Sequence, residues 1–157
     1  MINKISLADG YHVAWSDEFN SSTINEALWS AENRPFGWTS GERQVYCGDE
    51  CVEIRDGRLC IRPKITTNDT GLHEILSGRI STLGKKDFTY GKIVVRMKVP
   101  KVKGLISYVR LMPTEGYDEE TGNYKDFPLH GQIDIAEISG ARPDEVLSRV
   151  AFGYPYT

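Results

Sequence analysis

Apolar and polar residues alternate along this chain in short runs with a period of two, and a helical period is almost absent. The clearest run covers residues 91–99. There Ile93, Val95, Met97 and Val99 fall on one face of an extended chain, and Lys92, Val94, Arg96 and Lys98 on the other. Similar runs predict strands over residues 11–15, 52–54, 58–62, 78–82, 90–99, 105–111, 131–138 and 148–154. Turns rich in Gly, Asn and Asp separate them, and Arg55-Asp56-Gly57-Arg58 reads as a tight hairpin connection. Residues 25–30 predict a single short turn, and residues 115–126 a long polar loop. Short strands at regular spacing predict an all-β sandwich or barrel. Trp15, Trp29, Phe88 and Tyr90 are its expected core aromatics.

The run from Gly131 to Ile138 breaks its own alternation in an informative way. Gln132 and Asp134 share one face, and strict alternation would send Glu137 to the other. One extra residue at Ile135-Ala136, a β-bulge, returns Glu137 to the face of Asp134. An amide and two carboxyls then line one side of an otherwise apolar strand. Such a row is costly to bury and adds little to packing. Two carboxyl groups close together across a sugar are the equipment of a retaining glycosidase, with a separation of about 5–5.5 Å.

These residues resemble the active-site strand of glycoside hydrolase family 16, the laminarinase and lichenase group, whose pattern is Glu-x-Asp-x-x-Glu. Other segments match in order. They are Trp15-Ser16-Asp17-Glu18-Phe19-Asn20, Leu28-Trp29, Glu42-Arg43-Gln44-Val45-Tyr46, Asp56-Gly57-Arg58-Leu59-Cys60-Ile61, Ser77-Gly78-Arg79-Ile80 and Phe88-Thr89-Tyr90-Gly91-Lys92-Ile93. The resemblance implies a jelly-roll β-sandwich, the concanavalin-like glucanase fold, with a sugar cleft across its concave sheet. Residues 1–157 would form one domain, the N-terminal part of the family domain, and the sandwich would be incomplete. Residue by residue, the resemblance places Gln132 at the nucleophile position, Glu137 at the acid/base position and Asp134 as their support. Glutamine keeps the shape of glutamate but lacks the anionic oxygen that forms the glycosyl ester. A loss of five orders of magnitude in rate corresponds to about 7 kcal/mol of transition-state stabilisation, and a loss of that order is expected here.

The resemblance also shows a changed cleft. The family's Gly-Leu-Trp-Pro-Ala-Phe-Trp-Met-Leu-Pro run is matched by Gly104-Leu105-Ile106-Ser107-Tyr108-Val109-Arg110-Leu111-Met112-Pro113, with Ile106 and Arg110 where tryptophans stand. Arg79, Trp38, Glu42 and Tyr108 remain as expected substrate-binding residues. The expected ligand is a β-1,3- or mixed-linkage glucan. Two functions follow: a β-glucan-recognising protein without hydrolytic activity, or an endo-β-1,3(4)-glucanase with a replaced nucleophile. A decayed fragment with no ligand is a third. Whether the chain is an enzyme is open at this point.

Composition narrows the remaining choices. The 157 residues are 39% apolar and carry a formal charge of −3, with no basic patch to suggest nucleic acid and no apolar run long enough to span a bilayer. The first ten residues contain no apolar core of signal-peptide length, although the family is mostly secreted. His12, His73 and His130 are scattered and the cysteine spacing fits no zinc pattern, so neither a metal nor a cofactor is expected. Cys47 and Cys51 could close a small disulfide loop in an oxidising compartment, whereas Cys60 is expected as a buried free thiol. Self-association through the incomplete sandwich is the remaining partner expectation.

Overall fold

The computed structural model describes residues 10–38 and 41–153. The expectations for residues 1–9, and for a last strand reaching Tyr154, lie outside the described residues. The chain divides into two compact units, residues 1–87 and 88–157.

The first unit holds eight strands among its described residues: β1 (Ser30–Ala31), β2 (Asn33–Arg34), β3 (Gln44–Cys47), β4 (Val52–Ile54), β5 (Leu59–Ile61), β6 (Lys64–Thr67), β7 (His73–Ser77) and β8 (Ile80–Ser81). Four of them form a sheet in the order β2-β3-β7-β6, with β3 and β7 parallel and the other pairs antiparallel. The β4–β5 hairpin closes through the predicted turn. Arg55 and Arg58 exchange both backbone bonds, and Asp56 and Gly57 take positive φ of 52° and 65°. Two positive φ in a row are what a two-residue turn of the I′ type requires, and Asp-Gly tolerates them best. A 3₁₀ turn over Gly48–Cys51 joins β3 to β4, and the Cys47–Cys51 disulfide closes across it. Cys60 is free but only half-buried.

Gly78 shows why a side chain is excluded between β7 and β8. A Cβ there would lie 2.7 Å from Val52 Cγ2 and 2.8 Å from the Cys51 carbonyl. Trp29 anchors the preceding loop. Its indole donates to Asp17 Oδ2 at 2.9 Å, and its ring meets Trp15 edge-on at 5.5 Å.

The second unit is built on a three-stranded antiparallel sheet in the order β13-β12-β9. Its strands in chain order are β9 (Ile106–Leu111), the short pair β10 (Tyr117–Asp118) and β11 (Asn123–Tyr124), β12 (Gln132–Ser139) and β13 (Leu147–Ala151). The long polar loop between β9 and β12 therefore contains its own small hairpin, with Tyr117 and Tyr124 in ring contact at 5.2 Å.

Three sequence expectations need correction. The segment 91–99, with the cleanest alternation, is not paired into a sheet. Ile93, Val94, Val95 and Met97, which belong to both of its faces, are each more than a third exposed. Alternation specifies which side each residue would face once the chain is paired; it does not supply the partner strand. Residues 11–15 likewise form no strand. Among the expected core aromatics, Tyr90 is 95% exposed and Phe88 is exposed as well. Trp15 and Trp29 do pack together.

Candidate functional site

The bulge that the spacing requires is present in β12. Against β9, Asp134 pairs with Arg110 and Ala136 with Val109, so Ile135 is the residue without an opposite number. Against β13, Asp134 pairs with Arg149 and Glu137 with Leu147, again with a shift between them. Directly paired residues share a face. The bulge therefore places Asp134, Arg110, Arg149, Glu137 and Tyr108 on one side of the sheet, with Tyr108 opposite Glu137.

The first two members of the polar row are buried. Asp134 is 1% and Gln132 7% exposed, while Ile133 between them is 45% exposed. A buried carboxylate needs partners, and Asp134 has three. Gln132 Nε2 donates to its Oδ1 at 2.8 Å, Arg110 Nε lies 3.0 Å from the same oxygen, and Arg149 Nε donates to Oδ2. The Arg110 contact is ionic rather than a directed hydrogen bond. Arg149 reaches on to Glu137, with Nη2 at 3.5 Å from Oε2. The hydrogen bond to Asp134, ahead of the charges of Asp134 and Glu137, holds the Arg149 guanidinium above its ordinary pKa. Arg110 also lies over the Tyr108 ring, 4.4 Å from its centroid. The face thus balances two carboxylates against two guanidiniums, with an amide at its end.

A second cluster belongs to the first unit. Glu32, 8% exposed, pairs with Arg34 at 3.4 Å and Arg79 at 3.3 Å. Both guanidiniums lie over the Trp38 ring, at 5.2 and 4.7 Å, within cation–π range. Trp38 meets Tyr46 edge-on at 5.9 Å, and the Tyr46 hydroxyl donates to Glu42 Oε2 at 3.0 Å. Gln44 donates to the same oxygen at 2.8 Å. Burial first, then the Glu42 charge, pushes the Tyr46 phenol up to about 12. Arg79, Trp38 and Glu42 are thus joined through Tyr46. Trp38 Nε1 is buried with no hydrogen-bond partner among the described residues. An open cavity of about 720 Å³ in this unit is lined by residues between Ser16 and Leu28, and none of the expected site residues borders it.

Sequence reasoning missed Arg149, Glu32, Arg34 and Tyr46 as members of these clusters. Arg149 had a usable signal. It lies in the run after the polar strand, at the hairpin position that faces Asp134. In the sequence Arg110 reads only as a lost tryptophan, and its contact with Asp134 is not visible in the alternation.

No family model matches the chain. Among curated proteins, it is 31% identical over 144 residues to the glucan endo-1,3-β-glucosidase of Cryptopygus antarcticus, covering 88% of this chain and 50% of that protein. Among solved structures, it matches the laminarinase of Rhodothermus marinus at a TM-score of 0.75 and 30% identity, over 88% of this chain and 54% of that one. It also matches SCLam, a non-specific endo-β-1,3(4)-glucanase of glycoside hydrolase family 16, at a TM-score of 0.79 and 25% identity, over 94% and 56%. The chain spans about half the length of these proteins, and it carries over that span the jelly-roll β-sandwich fold of the laminarinases.

Proposed function

Because this chain shares both sequence and fold with glycoside hydrolase family 16, we propose that it recognises a β-1,3- or mixed-linkage glucan and does not hydrolyse it. The observation that carries this reading is Gln132. Its amide stands at the first position of the polar row and donates to Asp134, so it presents no anionic oxygen to an anomeric carbon. Position 132 is the proposed nucleophile position, Glu137 the acid/base position and Asp134 the support between them. Tyr108, on the same face, is a proposed stacking surface, its ring shared with Arg110. Arg79, Trp38 and Glu42 are the proposed substrate-binding residues of the first unit, linked by the stacking of Arg79 on Trp38 and the contact of Trp38 with Tyr46, which bonds Glu42. The chain is proposed as the N-terminal part of one family domain.

Titration of the chain with laminarin, using cellulose as control, tests the reading together with a reducing-sugar assay. Saturable binding to laminarin without release of reducing ends is the expected outcome. Release that disappears in Glu137→Ala would instead establish the second reading, an endo-β-1,3(4)-glucanase. The activities named for the similar proteins favour that alternative.

A further inference from the structure

We infer that Glu32 is a positioning residue of the first unit's binding cluster: its carboxylate holds Arg34 and Arg79 together against the Trp38 ring and so presents that ring, already ordered, to the sugar. The inference rests on the binding roles proposed for Trp38 and Arg79.

Trp38 needs such support because its backbone does not supply it. It lies outside any strand, at the end of a turn in which its N–H donates to the Pro35 carbonyl at 3.2 Å and Gly37 takes a φ of 72°. A positive φ at the third position is the type II pattern that glycine permits. The turn sets where the side chain starts, but it does not choose the rotamer of a half-buried indole.

Glu32 is anchored through both of its backbone groups. It lies between β1 and β2, where its N–H donates to the Arg79 carbonyl at 2.9 Å and its own carbonyl accepts from Gly48 N–H at 3.0 Å. Residue 32 is thus a joint between β8, which pairs with β1, and β3, which pairs with β2. At that joint a single buried oxygen, Glu32 Oε2, lies 3.4 Å from Arg34 Nε and 3.3 Å from Arg79 Nε. Two guanidiniums brought to one ring repel each other unless an anion stands between them. Arg34 and Arg79 are 23% and 26% exposed, so either can swing toward solvent once that anion is neutralised. With it in place they lie 5.2 and 4.7 Å from the Trp38 centroid. Tyr46, paired with Arg34 across β2 and β3, closes on the edge of the same ring. A side chain ordered in advance costs less to fix on binding.

The test uses the full, isotope-labelled chain with laminarin as probe. The indole N–H resonances of its three tryptophans report their surroundings, and Trp38→Phe assigns the one that matters. Glu32→Gln keeps the size of the side chain and removes its charge. The Trp38 resonance should move while those of Trp15 and Trp29 stay, and the laminarin Kd should rise about tenfold, the cost of ordering one large side chain on binding. Arg34→Met, which leaves Glu32 paired with Arg79, should move the same resonance alone. Thermal melts confirm folding. If Glu32→Gln gives no cooperative melt, Arg34→Met carries the test with the same two readouts. An unmoved Trp38 resonance overturns the inference, and so does an equal shift of all three, which is the sign of a general loosening. An unchanged Kd in a variant whose Trp38 resonance has moved overturns it too. Failure of the unmutated chain to bind laminarin would overturn the proposed glucan recognition instead, and the resonances would still decide whether Glu32 holds the ring.

Discussion

Tyr46 joins three of the expected binding residues of the first unit, and its ionisation makes that arrangement testable. Its phenol is pushed up to about 12, above the 10.0 of an unburied tyrosine, by burial and then by Glu42. The folded state thus holds this proton more tightly than the unfolded chain does. The resulting stability is complete below pH 10 and is lost as pH rises toward 12. Denaturant midpoints measured across that window should fall with pH, and Tyr46→Phe should flatten the fall. A fall unchanged by the substitution would place its origin elsewhere. The same scale shows what single residues reveal in a sequence. Gln132 was legible because an amide differs in chemistry from the carboxylate of the family pattern. Arg149 was not, because its meaning depends on the residue opposite it, and the pairing register is set by the hairpin rather than by its neighbours.

At the scale of elements, the alternation located β4, β5, β9, β12 and most of β13, and the one-residue excess in the Gln132–Glu137 spacing located the bulge. It missed β6 and β7. Lys64–Thr67 and His73–Ser77 mix polar residues with isolated apolar ones, and their pairing rather than their pattern makes them strands. For residues 91–99 the reason is opposite: there the pattern is strong, and no strand among the described residues pairs with it. Glycine marks the places where elements approach most closely. Gly78→Ala should cost about 1–3 kcal/mol, in line with overpacking of a tight site. The backbone carbonyl of Cys51, at 2.8 Å, cannot rotate out of the way as a side chain can. Chemical denaturation of the variant checks this, and an unchanged midpoint would show that β4 and β7 can separate without penalty.

At the scale of the whole chain, the side of the β9–β12–β13 sheet opposite the polar row is short of cover. Ile133 is 45% and Val150 62% exposed, and the neighbouring Phe152 is 78% exposed. Exposed apolar surface costs about 25 cal/mol per Å², and contiguous patches of this kind usually find a partner. The 157-residue chain in isolation should therefore self-associate, and Val150→Lys together with Phe152→Ser should reduce it. Light scattering over a concentration series reads this directly. A monomer at every concentration would mean that the surface is tolerated.

The parallel pairing of β3 with β7 has a consequence for the order in which the first unit assembles. Gln44 pairs with Ile75 and Tyr46 with Ser77, while β4, β5 and β6 lie between them in the chain. The β4–β5 and β6–β7 hairpins join near neighbours and can form by local search. The β3–β7 contact must first close a long loop, a step whose entropic cost precedes its reward. Assembly of the first unit should end with that closure. The Tyr46–Glu42–Trp38 cluster sits on and beside β3 and would stay open to water until then, so the expected binding residues of this unit come together only as its folding finishes.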